Sequence, residues 1–114
     1  MGRRICFVLD LVTDDSLIQE YEQRHAPGAV WPEVVRDLHD RGFESMEIWR
    51  MADRLVMVAD VRDDYPCKRN PSLQSLVDKW ETEMSRYQKP VLSSGPKWAP
   101  MQCIFKLSDQ TDLP

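Results

Sequence analysis

The chain has 114 residues, 42% of them hydrophobic and 30% charged, and a net charge of −4. That length builds one domain around one core and leaves no room for a second, so residues 1–114 read as a single domain. The Lys and Arg residues are scattered rather than gathered into a stripe, which removes nucleic acid as a partner, and no run approaches the roughly 18 apolar residues of a membrane span.

From Arg3 to Val12, Ile5, Phe7, Leu9 and Leu11 alternate with Cys6, Val8 and Asp10, the pattern of a strand covered on both faces. Met1 to Arg4 carries the charge of a secretory leader, but the apolar run behind it is short and ends in Asp10 without a cleavage signal, so the segment reads as mature strand. Thr13-Asp14-Asp15-Ser16 offers several N-caps, with Ser16 and Gln19 at capping-box spacing, for a helix from Asp15 to His25. Pro27 and Gly28 force a turn directly after His25. A second helix spans Pro32 to Arg41, opened by Pro32 and Glu33 and stopped by Gly42.

Phe43 to Met51 and Arg54 to Val61 read as a hairpin of strands joined by Ala52-Asp53. Asn70-Pro71 opens a third helix, with Leu73, Leu76, Val77, Trp80, Met84 and Tyr87 on its apolar stripe. Gln88 to Pro100, rich in Pro, Ser and Gly, reads as a long surface connection, and the alternation in Met101 to Leu107 as a final strand before a polar tail. The order strand, two helices, two strands, helix, strand is the split βαβ pattern of an α+β, ferredoxin-like domain with a four-stranded antiparallel sheet. Helices on one face leave the other face, with Val8, Val56 and Val58, to be shielded by the long connection or by a second subunit.

Three widely spaced cysteines fit neither a disulfide framework nor a zinc site, and point to a reducing compartment, the cytoplasm. No GxSxG, HExxH, P-loop or dinucleotide-binding motif occurs, so the expected chemistry uses neither metal nor cofactor. His25, at a helix end beside a Pro-Gly turn, can exchange a proton near neutral pH, and the helix C-terminus is expected to favour its charged form. On spacing alone it fits a capping or surface role at least as well. Tyr21 lies one turn earlier on the same helical face, where it is either core or a ligand contact. Trp80 and Tyr87, with Trp31 and Trp49, suit either a core or the apolar face of a sugar ring. Asp10 and Glu47 are carboxylates within apolar strands, candidates to accept hydrogen bonds from sugar hydroxyls if they are not simply at an exposed edge.

The segment Tyr21-Glu22-Gln23-Arg24-His25-Ala26-Pro27, followed by Val30-Trp31-Pro32-Glu33-Val34, resembles the Y-x-x-R-H-x-P…W-P-E signature of the L-rhamnose mutarotase family. The resemblance extends through Glu47-Ile48-Trp49 and Lys79-Trp80-Glu81 to Met101–Leu107, nearly the whole chain. It implies a homodimeric ferredoxin-like domain of the dimeric α/β barrel type that interconverts pyranose anomers, with His25 as proton donor and Tyr21 and Trp80 in contact with the sugar. The chain departs from the family pattern at Glu81, where a second tryptophan is expected, at Met46, where a substrate tyrosine is expected, and in the short insertion Gly28-Ala29. Met46 and Glu81 shift the expected substrate from L-rhamnose alone to L-rhamnose or L-fucose, because an altered hydrogen-bond pattern separates sugars that differ only in hydroxyl configuration. The competing readings are a cofactor-free ferredoxin-like monooxygenase or isomerase and a non-catalytic sugar-binding module.

Overall fold

The computed structural model describes residues 2–110; Met1 and the end of the polar tail lie outside the described residues. Strands β1 (Arg3–Leu11), β2 (Phe43–Met51) and β3 (Arg54–Val61) form the body of an antiparallel sheet, with helices α1 (Asp15–Arg24), α2 (Pro32–Arg41) and α3 (Gln74–Ser85) packed on one face. The sheet order is β2-β3-β1-β4, the order of a ferredoxin-like α+β domain. The fourth position is divided: β4 (Gln88–Lys89) pairs with Asp10 and Leu11, β5 (Ala99–Met101) pairs with Cys6 to Val8, and residues 90–98 loop out between them. The sheet therefore has five strands instead of four, and the connection expected to be irregular contributes two short edge pieces.

The hairpin register decides what reaches the helices. Leu55, Met57, Ala59 and Val61 alternate as buried residues along β3. Their partners on β2 are Arg50, Ile48, Met46 and Phe43, because a bulge between Phe43 and Ser45 inserts one residue and shifts the alternation. Without that bulge Glu47 and Trp49 would face the helices, and Met46, Ile48 and Arg50 would face outward.

One local start agrees with the sequence reading and one differs from it. Asp14 caps α1 by accepting a hydrogen bond from the Leu17 amide at 3.0 Å, so the first available acidic cap prevails over Ser16. Asn70 caps a single 3₁₀ turn (Pro71–Leu73) before α3 begins at Gln74. At the end of α2 Gly42 adopts φ +115°, and a Cβ there would sit 2.9 Å from Cβ of Tyr65, which explains why the helix stops at a glycine.

The core lies between the helices and the sheet, where Leu11, Leu55, Tyr21, Val34, Trp80, Met84 and Tyr87 close on one another. The stripe of α3 holds except at Leu76, which is 38% exposed on its flank. The larger correction is at the C-terminus. Only Met101 of the expected Met101–Leu107 strand is paired, and Ile104 and Phe105 are 91% and 63% exposed. The pairing instead falls earlier, at Ala99–Met101 opposite Val8 to Cys6, and the chain leaves the sheet after Met101 although β1 continues to Arg3. The long connection joins the edge of β1 and does not roof the open face, which carries Trp49 and Met51 in exposed positions.

Candidate active site

His25 is the C-cap of α1, with φ −109° and ψ 6°, and its amide still bonds to the carbonyls of Glu22 and Gln23. Leaving the helix there turns the imidazole back along α1. Its Nδ1 lies 2.8 Å from the carbonyl oxygen of Tyr21, so Nδ1–H donates to the backbone and Nε2 is the nitrogen left for a ligand. Burial pushes its pKa below the ordinary imidazole value; the Tyr21 carbonyl opposes this and Arg24 adds to it. The helix end was expected to favour the charged ring, but burial acts the other way and is the largest influence, which favours the neutral ring with a free Nε2 lone pair.

Aromatic rings fix this imidazole on two sides. Tyr21 lies 4.3 Å away in a tilted stack, and Trp80 meets it edge-on at 5.7 Å. Trp31 and Tyr87 in turn pack edge-on against Trp80 and Tyr21. Trp80 is only 4% exposed, so it supports His25 and leaves little of its face for a ligand. Burial raises the Tyr21 phenol to about 12, Glu81 adding to the shift and the Gln88 contact opposing it. That phenol therefore stays protonated. Gln88 Nε2 donates to its oxygen at 3.4 Å.

Tyr21 and His25 line a cavity of about 350 Å³ together with Glu22, Ile48, Arg50 and Leu55, a volume in the range of small-molecule sites. Ile48 and Leu55 make it apolar on the sheet side, and next to them Arg50 forms an ion pair with Glu22. A larger depression of about 560 Å³ shares Glu22 and Arg50 with it, is lined by Thr13, Asp15, Ser16 and Asp53 among others, and holds no imidazole or phenol.

The other candidates fall in three places. Met46 is on the same sheet face as Ile48 but packs beside Phe43, Ala59 and Val61, one pleat beyond the cavity. Glu81 projects from α3 toward the loop, where Lys97 Nζ lies 3.3 Å from it, and acts on Tyr21 through its charge. Asp10 and Glu47 stand on the open face of the sheet and are not brought to His25. Asp10 accepts two hydrogen bonds from Arg54, at 2.7 and 3.1 Å, which hold its carboxyl below the usual range, and Glu47 accepts from Trp49 Nε1 at 3.1 Å. Adjacent strand residues point to opposite faces, so Glu47 and Met46 cannot share a pocket. Glu22, Ile48, Arg50 and Leu55 were not singled out from sequence. Arg50 had a signal, a cation on the apolar side of the hairpin, but reading it required the bulge. Among the described residues no group of three or more His, Cys, Asp or Glu side chains is arranged to hold a metal ion, and no helix is long and apolar enough to cross a membrane.

A model of the L-rhamnose mutarotase family matches residues 4–107. The chain belongs to this family of sugar mutarotases. It is 42% identical to an L-fucose mutarotase of Xanthomonas campestris, over 97% of this chain and 93% of that one. An L-rhamnose mutarotase of Paraburkholderia phytofirmans is 27% identical over 81% of each chain. The crystal structure of L-rhamnose mutarotase FA22100 from Formosa agariphila shares the fold, with a TM-score of 0.67 at 21% identity, covering 92% of this chain and 98% of that one.

Proposed function

We propose that this mutarotase acts on 6-deoxy-L-hexoses, L-fucose ahead of L-rhamnose, and that His25 moves the proton. The observation that carries the reading is the single tautomer of His25, fixed by the Tyr21 carbonyl at 2.8 Å in the wall of a small-molecule cavity. Mutarotation moves one proton from the anomeric hydroxyl O1 to the ring oxygen O5. The neutral Nε2 takes the O1 proton as the C1–O5 bond breaks and the C1=O1 aldehyde forms. The same nitrogen then returns the proton to O5. Rotation about C1–C2 and the reverse steps close the ring on the other face. The imidazole thus acts first as base and then as donor, instead of starting as the charged acid. Tyr21, itself only 3% exposed, borders the cavity and holds the His25 ring in place, and Ile48 and Leu55 give the C6 methyl an apolar wall. The 42% identity to an L-fucose mutarotase supports placing L-fucose first.

The same reading includes a homodimer formed through the open sheet face. Half-buried Cys6, Val8, Val56 and Val58 lie there beside exposed Trp49 and Met51, an apolar surface of the kind that marks interfaces. Cys6, Cys67 and Cys103 are free thiols, which suits the reducing cytoplasm. Saturation transfer between the anomeric protons of L-fucose, L-rhamnose and D-galactose, with and without enzyme, tests the activity. Accelerated exchange is expected for the two deoxy sugars, and exchange at the spontaneous rate for all three refutes the reading. Sedimentation equilibrium of the native chain is expected to give a dimer mass; a monomer at micromolar concentration removes the dimer.

A further inference from the structure

We infer that the Glu22–Arg50 pair is the specificity-determining element of the cavity, reading two adjacent hydroxyls on one face of the sugar, O3 and O4, across the ring from the anomeric carbon. This rests on the mutarotase reading for the placement of C1 at His25.

Arg50 projects from β2 on the helix-facing side, opposite Leu55, where its neighbours on that side of the hairpin are Ile48 and Met57. Its Nε donates to Glu22 Oε1 and its Nη1 donates to the Ala52 carbonyl at 2.7 Å. These two bonds hold the guanidinium plane and leave Nη2 as a donor, while Glu22 Oε2 is left as an acceptor. Both side chains line the cavity that contains His25. The side chains of Arg50 and Glu22 are 38% and 53% exposed, and an ion pair this open adds little to stability, which is a weak reason for an arginine on an apolar face.

One donor and one acceptor side by side match two neighbouring hydroxyls, each of which can give and accept a hydrogen bond. Because each charge is already compensated by the other, the pair selects neutral polyols and offers no net charge to sugar acids or phosphates. Glu22 precedes His25 by three residues, about 4.5 Å along the helix axis. That offset is of the order of a pyranose ring, so a sugar with C1 at Nε2 presents its far hydroxyls to the pair. L-Fucose carries O3 and O4 on the same face, whereas L-rhamnose and 6-deoxy-L-glucose carry them on opposite faces.

The test uses binding of sugars that cannot open, so it is independent of catalysis: 1,5-anhydro-L-fucitol and its C4 epimer, titrated into wild type, Arg50→Met and Glu22→Gln. Wild type is expected to prefer the fucitol. Each variant should lose about 10- to 100-fold in affinity for it, as for a hydrogen bond to a charged group, with a change below about threefold for the epimer. Thermal melts of the three proteins verify folding. Wild type without preference between the epimers, or equal losses for both in the variants, overturns the assignment. Selective binding by a protein that does not accelerate anomer exchange would leave the pair's role standing and overturn the mutarotase reading instead.

Discussion

The two faces of the sheet use similar residues for different ends. On the helix side Arg50, Ile48 and Leu55 close a cavity with Tyr21, Glu22 and His25. On the open side Asp10, Arg54, Glu47 and Trp49 pair with one another at the surface. Both faces hold a carboxylate–arginine pair and an aromatic ring, so residue type does not separate a site from a surface. The cavity differs in having its titratable group desolvated and held by the backbone. Burial lowers the pKa of the His25 imidazole further below neutrality, and the Tyr21 carbonyl sets which ring nitrogen is left free.

Breaking the helix side at His25 should have the largest effect. His25→Ala is expected to lower kcat/KM for anomer exchange by ~10²–10⁴-fold, the usual contribution of a general acid–base, as measured by saturation-transfer NMR. Trp80→Ala comes next and acts through stability. Removing a ring that is 4% exposed and in contact with both His25 and Trp31 should cost about 3–5 kcal/mol in urea unfolding, a large share of the roughly 5–15 kcal/mol that holds a domain together.

The pH profile sharpens the comparison further. With its folded pKa depressed, His25 stays neutral above pH ~6.5, and activity should be level there. Below the folded value Nε2 is occupied, and the rate should fall about tenfold per pH unit. Stability follows the same direction. The unfolded chain takes up the His25 proton first, so this contribution is whole above the unfolded value and is lost as pH falls from there toward the folded one. A rate that instead drops as pH rises through neutrality would show that the charged ring is the working form.

Much of this was legible in the sequence because the signals were local. Pro32, Gly42 and the hydrophobic spacing bounded α2, the hairpin and most of α3 correctly, and the tyrosine–histidine spacing put both rings at one cavity. Failures came where a distant partner decides. The bulge after Phe43 has no strong sequence mark, yet it sends Arg50 inward and Glu47 outward. The pairing of Ala99–Met101 rests on contacts with distant β1, and Met101–Leu107 alternates well enough to suggest a strand that, beyond Met101, pairs with none of the described residues. The protonation of His25 is also non-local, since helix position favours the charge and the packing of Tyr21 and Trp80 opposes it.

The smallest effect belongs to the open face. Glu47 accepts one hydrogen bond from Trp49 and is separated from the cavity by the sheet itself, whether or not a second subunit covers that face. Glu47→Gln retains an oxygen that can accept the same bond, so stability should change by no more than about 0.5 kcal/mol and the exchange rate by less than about twofold. Arg50→Met, three residues along the same strand and on the opposite face, provides the contrast. If Glu47→Gln were the more damaging of the two for L-fucose, the register set by the bulge could not account for the site, and the open face would have to contribute directly to the sugar.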